Sequence, residues 1–276
     1  MEIKNLIRRY TPNFIKNFYN KIRIYYRNKY PLKYLSKFIN DSSNLEREIN
    51  IIKYFSKGGQ ALDIGGNIGV YSFYMLKHFN KVTAFEPIPD FYNNLKKMFS
   101  NNNNYSVYNI ALSDKEGEAT IYIPDRFHGW STLESDDLML KKASATQKIK
   151  QLNIKTKTLD CFEFKDLDFV KIDVEGHELN VLYGAVQTLK SNNAIILIEI
   201  EERHKKGSII NVVNYLKNFN YDCYFYFNNR LVSFDEFDFE IHHNDESENY
   251  IYNFIFAKTG FLDIVKLNSE LIYSQK

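Results

Sequence analysis

From residue 45 onward, short apolar runs alternate with stretches whose apolar residues recur at helical spacing. This is the order expected of a mostly parallel sheet with helices on both faces. "LEREINIIKYF" places Leu45, Ile49, Ile52 and Phe55 on one helical face. "QALDIG" reads as a first strand, "VYSFYMLKHF" as a helix, and "KVTAFEP" as a second strand stopped by Pro87. "PDFYNNLKKMF" is a helix with Phe91, Leu95 and Met98 inward, and "YSVYNIAL" a third strand. After the turn at "SDKEG", "GEATIYIP" is expected as an added hairpin arm. "LDFVKIDVEG" reads as a central strand, "HELNVLYGAVQTLK" as one helix, "AIILIEIE" as a strand and "SIINVVNYLKNF" as a helix. "YDCYFYF" and "NYIYNFIFAK" leave no room for a helix between them, so they are expected to pair antiparallel at the sheet edge.

The alternation breaks at residues 124–150, a long polar insertion of the kind that is usually either functional, as a lid, or disordered. The chain is therefore divided into a helical arm (1–44), a catalytic-type α/β domain (45–260) with that insertion, and a short tail (261–276). The 276 residues suffice for one large core, and 22 Phe with 21 Tyr suit it. No run is apolar enough for a membrane span, and the charged N-terminus lacks a secretory leader's pattern. Cys161 and Cys223 make neither a disulfide framework nor a metal cluster. A soluble protein of the reducing cytoplasm is the expectation.

Charge changes the picture at one end. Residues 1–40 carry ten Lys or Arg against Glu2 alone, a net +9, whereas the whole chain is only +2. A basic, Tyr-rich arm before an acidic body suits peripheral contact with an anionic membrane at the inner face, or an acidic glycan. It equally suits folding back onto acidic surface such as residues 234–249. Nucleic acid is disfavoured, because the body is acidic where a phosphate track should lie.

The join "DIGGNIG" holds the densest chemistry. Glycines after a first strand let a ligand approach the backbone, and the next helix offers free N–H groups. The dinucleotide pattern G-x-G-x-x-G is absent. Instead Asp63, Gly65, Gly66, Asn67 and Gly69 put an acid inside the strand end, which suits a cationic ligand better than a pyrophosphate. Glu86 ends the second strand, 20 residues past Gly66, where an acid can accept from both ribose hydroxyls. Together they point to S-adenosylmethionine. Taken alone, the glycines also fit a tight turn.

"DIGGNIGVYS", "AFEP", "NIALSD", "GEATIYI", "GWST", "TLD" and "FVKIDVEGHELNVLYGA", followed by "IEIE", resemble the FkbM-type methyltransferases over about residues 58 to 202. "KIDVEGHE" is the most specific piece. The resemblance implies a Rossmann-like class I methyltransferase fold, a seven-stranded mostly parallel sheet with a reversed final strand. It also implies S-adenosylmethionine-dependent O-methylation of acceptors that range from sugars in surface glycans or glycolipid precursors to small polyketide hydroxyls. Carried over, Asp63, Gly65, Gly66, Asn67 and Gly69 line the methionine half, Glu86 the ribose, and Asn109, Ala111 and Leu112 the adenine. Gly66 stands where relatives often have alanine.

Methyl transfer to a hydroxyl needs positioning and a base. If the central strand runs through Glu175, Lys171, Asp173 and Glu175 share one side. Asp173 is assigned to the cofactor or reacting hydroxyl, and His177 is the leading base because imidazole titrates near neutrality. Glu175 orients His177 or the sugar, and Lys171 pairs with a buried acid such as Asp63 or Asp173. His177 and Glu175 have a plain alternative as helix-end residues. A divalent metal is possible at Asp173 and Glu199 but not implied by any spacing. In the insertion, His128, Trp130, Ser131 and Thr132 form a candidate sugar-stacking surface, with a packed lid anchor as the alternative. The Asp/Asn-Pro-Pro-aromatic motif of amino methylation is absent. A binding scaffold without catalysis is the competing class.

Overall fold

The computed structural model describes residues 13–41, 45–125, 131–244, 250–260, 263 and 267–268. Its main sheet has eight strands in the order β10-β9-β11-β8-β7-β1-β2-β3. The five parallel strands are β1 (Gln60–Ile64), β2 (Lys81–Phe85), β3 (Tyr105–Tyr108), β7 (Leu167–Ile172) and β8 (Ile195–Glu199). β11 (Asn253–Lys258) is antiparallel to both β8 and β9 (Tyr221–Phe227), and β10 (Arg230–Ser233) extends the edge as a hairpin with β9. This is the seven-stranded, reversed-strand arrangement expected from the resemblance, with β10 added. The central strands are buried on both faces, so they read as unbroken apolar runs rather than alternations.

Chain order reverses between β1 and β7: β2 and β3 lie to one side of β1, and β7 and β8 to the other. Ligands in open α/β sheets bind outside the carboxyl ends of the strands at such a point. Asp63 is held there by register, opposite Ala84 of β2 and Lys171 of β7.

A second sheet, ordered β4-β6-β5, covers that crevice. It pairs β4 (Ala111–Leu112) in parallel with β6 (Ile149–Lys157), which is antiparallel to β5 (Gly117–Pro124). Ile121, Ile123 and Ile154 pack there with Ile88 and Phe91.

Several elements differ from the sequence expectation. "YSVYNIAL" is two strands, since the chain leaves the main sheet after Tyr108 and Ala111–Leu112 joins the second. "LEREINIIKYF" forms two 3-10 turns, Arg47–Asn50 and Ile52–Phe55, too short for the sustained helical period to express. "HELNVLYGAVQTLK" breaks into Glu178–Tyr183 and Val186–Ser191, because Gly184 lies against the loop after β4, where a Cβ would stand 2.0 Å from the Ser113 carbonyl oxygen. The late strands enclose β10 and a one-turn helix, Phe239–His242, and β11 lies inside the sheet rather than at its edge. Within 124–150, Thr132 bridges to Tyr122, and Asp137 caps a helix, Leu138–Ser144, by accepting from Leu140 N at 2.7 Å. The insertion is therefore built onto the second sheet by its own cap and bridge.

The arm contributes helices Asn13–Lys29 and Pro31–Ile39, which pack on helix Pro89–Met98. Leu35 is buried with Leu95 and Phe99, Asn94 Nδ2 donates to Asn28 Oδ1 at 3.0 Å, and the Arg27 guanidinium lies 4.2 Å from the Phe91 ring centre. Its docking surface is thus this helix; residues 245–249 of the acidic stretch lie outside the described residues. Among the described residues, no helix is long and apolar enough to cross a membrane.

Candidate active site

A pocket with an empty volume of about 620 Å³, open at its mouth, sits at the carboxyl ends of β1, β2 and β7 under the second sheet. Its walls divide into an apolar half, with Phe85, Ile88, Ile110 and Leu112, and a polar half, with Asn67, Glu86, Asp173, Glu175 and His177.

Gly65 lines the pocket and is required by the backbone. Its φ is +87°, and a Cβ would lie 1.9 Å from the Asp173 carbonyl oxygen, so β1 and the loop after β7 touch through this residue. Gly65→Ala is expected to destabilise the fold by at least ~1–3 kcal/mol through that overlap, as a lowered melting temperature checks. Gly66 and Gly69 look away from the pocket. They make room for Leu95, and Gly69 also for Met98 and Phe99, so these two glycines serve the packing of helix Pro89–Met98. Asp63 lies beneath the pocket, where its Oδ2 accepts from Ser72 Oγ at 2.5 Å; burial raises its pKa to about 6 against that bond.

Glu86 is held by backbone on both sides. Oε2 accepts from Asn67 N and Oε1 from Ile88 N, both at 2.8 Å, which leaves each oxygen further lone-pair capacity toward the pocket. Burial pushes its pKa up to about 7, more than those two bonds lower it. An acid that accepts from two hydroxyls must be ionised, so affinity for S-adenosylhomocysteine is expected to fall as pH drops below about 7, as titration calorimetry across pH checks. Asn109 does not line the pocket. Its Nδ2 donates to the carbonyls of Glu86 and Pro87, both at 2.9 Å, and so fixes the turn that carries Glu86. Ala111 and Leu112 form the apolar wall.

β7 ends at Ile172, and Glu175 takes a left-handed φ of +53° before Gly176. The period-two expectation therefore fails beyond the strand: Lys171 points behind the pocket while Asp173 and Glu175 face into it. Lys171 is 1% exposed, and its Nζ lies 3.9 Å from Asp173 Oδ2 and 3.8 Å from Glu199 Oε2. The Tyr71 ring faces the same ammonium at 5.1 Å. Burial alone lowers a lysine pKa, but Asp173, Glu46 and Glu199 outweigh it and keep Lys171 charged. Its ammonium thus supplies positive charge between the two carboxylates considered for a metal. Among the described residues no group of three metal-type ligands occurs.

His177 borders the pocket with both ring nitrogens engaged. Nδ1 lies 2.5 Å from Glu134 Oε1, and Nε2 lies 2.9 Å from Ser113 Oγ. Through these two contacts His177 ties the insertion and the loop after β4 to the loop after β7. Glu175 differs. Its Oε2 is 2.9 Å from His204 Nε2, and among the described residues Oε1 has no protein partner while the side chain faces the pocket. His204 in turn donates from Nδ1 to Asp137 Oδ2 at 2.7 Å. Two flanking acids require both ring N–H groups. They overcome the burial that disfavours the cation and carry the His204 pKa up to about 10. Burial raises Glu175 to about 8, and the bond from His204 opposes that rise.

Sequence reasoning missed Ser113, Glu134, Asp137 and His204. The available signals were "LESDD", read only as a polar insertion, and the lone histidine in "IEIEERH" just past β8. Of the proposed sugar-stacking group, Ser131 lines the pocket, Thr132 is buried at the bridge, and His128 and Trp130 lie outside the described residues.

Comparison with known proteins identifies a family. The model of the methyltransferase FkbM domain matches residues 63–223. "Methyltransferase 1" of Beauveria bassiana (strain ARSEF 2860) is 26% identical over 144 residues, covering 45% of this chain and 57% of that protein. A solved FkbM methyltransferase from Methylobacillus flagellatus KT superposes with a TM-score of 0.47 at 16% identity, covering 73% of this chain and 44% of the other. A putative methyltransferase from Streptococcus mutans in complex with SAH gives 0.43 at 10%, covering 78% and 99%. The chain thus spans little more than half the length of the curated relative it matches. The family model covers more than half of the sequence, from the acid of β1 to β9, and the chain belongs to the FkbM methyltransferase domain family.

Proposed function

We propose that the protein is an S-adenosylmethionine-dependent O-methyltransferase whose acceptor is a sugar hydroxyl of a cell-surface glycan or glycolipid precursor. The observation that carries this reading is Glu175, which lines the pocket while its Oε2 is held by a charged histidine.

The residues present fit the cofactor. The apolar half of the pocket suits a base, Glu86 keeps acceptor capacity for ribose hydroxyls, and the carboxylates Asp173 and Glu175 suit a positive centre. When bound, S-adenosylmethionine supplies a methyl group on a positively charged sulfur. The methyl–sulfur bond would break as the acceptor oxygen takes the methyl group, leaving a neutral thioether; the chain's own part is to place that oxygen and to receive its proton at Glu175. Asp173 orients the hydroxyl, and the Lys171 ammonium behind it favours its ionised form.

Incubation with methyl-labelled cofactor and a panel of nucleotide sugars, oligosaccharides and glycolipid extracts tests the reading. Label retained in a sugar methyl ether, stable to the mild base that removes esters, supports it. Label found only in amines or esters contradicts it.

A further inference from the structure

The arm that docks on helix Pro89–Met98 buries one side and exposes another of distinct composition. Arg27, Pro31 and Leu35 face the body. Outward stand Ile22, Tyr25, Tyr26, Tyr30 and Leu32, with exposures of 37–61%, large for aromatic and branched side chains. Lys21, Arg23, Lys29, Lys33 and Lys37 are exposed on the same two helices, and residues 11–40 contain no Asp or Glu. Ile22, Tyr25, Tyr26 and Lys29 recur at intervals of three and four, so they line one stripe of helix Asn13–Lys29.

Each observation narrows the occupant. An all-cationic surface repels a second copy of itself and attracts a polyanion. Exposed Ile22 and Leu32 gain nothing from a phosphate track in water, but they do gain from entering an acyl boundary. Tyrosines with an apolar ring and a polar tip sit at the headgroup level, and lysines reach anionic headgroups above it. We propose that the outward face of residues 21–37 is a docking surface for the interface of an anionic lipid bilayer. Its buried side reaches the site, since Arg27 stacks on Phe91, a wall of the pocket. Docking thus holds the pocket close to the surface on which a lipid-linked acceptor would lie. The surface carries its charge and apolar groups whatever that acceptor is.

The test is sedimentation of the full chain with vesicles of phosphatidylcholine alone or mixed with phosphatidylglycerol, at low and raised salt. Binding to the mixed vesicles only, weakened by salt, is expected. Lys21→Glu, Lys29→Glu and Lys33→Glu together should lower the vesicle partition coefficient by about a hundredfold or more. Tyr25→Ser with Leu32→Ser should lower it at unchanged charge. Both variants should keep wild-type circular dichroism and S-adenosylhomocysteine affinity, which sets loss of docking apart from loss of fold or of cofactor binding. No partition to anionic vesicles at low salt would overturn the proposal. So would binding that survives Tyr25→Ser with Leu32→Ser and is matched by a soluble polyanion such as heparin or RNA, which would mark a plain electrostatic surface.

Discussion

Glu175→Gln is expected to lower kcat by about 10²–10⁴ while leaving S-adenosylhomocysteine affinity within a few fold. The amide keeps the shape, and its oxygen can still accept from His204 Nε2, but it cannot take a proton from the acceptor. His204→Gln separates positioning from catalysis. Without the imidazolium, burial acts on Glu175 unopposed, joined by the like charges of Asp173 on its own loop, Glu178 at the start of the next helix and Glu199 on β8. Arg203, the other cation near it, is tied to Glu201. The Glu175 carboxyl starts at about 8, so losing His204 moves it higher. The acid limb of the pH–rate profile should therefore shift toward higher pH, with activity partly recovered in alkaline buffer. Asp137→Asn should shift it in the same direction by less, because it removes the group that holds His204 charged. A pH-independent loss for His204→Gln would reduce this histidine to a packing residue.

Lys171→Met is expected to be the most destabilising single change in the site, at about 3–5 kcal/mol. Among the described residues the ammonium is the one cation within ion-pair distance of both Asp173 and Glu199, and removing it leaves two half-buried carboxylates beside Glu46. The sign with pH follows from the shifts. Asp173 and Glu199 are already raised by burial, and losing Lys171 raises them further. A group whose folded pKa lies above its unfolded value contributes its stability at low pH and loses it as pH rises through the folded pKa. The variant should thus be least stable above neutrality and recover on acidification, a trend that urea unfolding at several pH values would read. Equal loss at every pH would show that the side chain matters through its packing against Tyr71 rather than its charge.

What the sequence disclosed and what it hid divide along chain distance. β1, β2, β7 and β8 were legible because a strand buried on both faces must be apolar throughout, and the acids that close β1 and β2 stand out against that background. Glu86 and Asp63 were visible for the same reason. The roles of Gly66 and Gly69 were not, since a glycine spared for a ligand and one spared for Leu95 look alike in one dimension. His177 drew attention by its side-chain chemistry, yet its engagement is decided by Glu134 and Ser113, 43 and 64 residues away. His204 is joined to Asp137 across 67 residues, a pairing no local period encodes. The break in "HELNVLYGAVQTLK" likewise depends on a distant carbonyl, that of Ser113.

The central claim is that the pocket below the second sheet holds a sulfonium nucleoside through Glu86. Calorimetric titration of the full chain with S-adenosylhomocysteine, repeated on Glu86→Ala and with NAD as the comparison ligand, tests it most directly. The account predicts micromolar binding of the nucleoside, at least tenfold weakening in Glu86→Ala through loss of a charge-assisted hydrogen-bond acceptor of about 1.5–3 kcal/mol, and no heat with NAD. Equal affinity in Glu86→Ala, or preference for NAD, would contradict it.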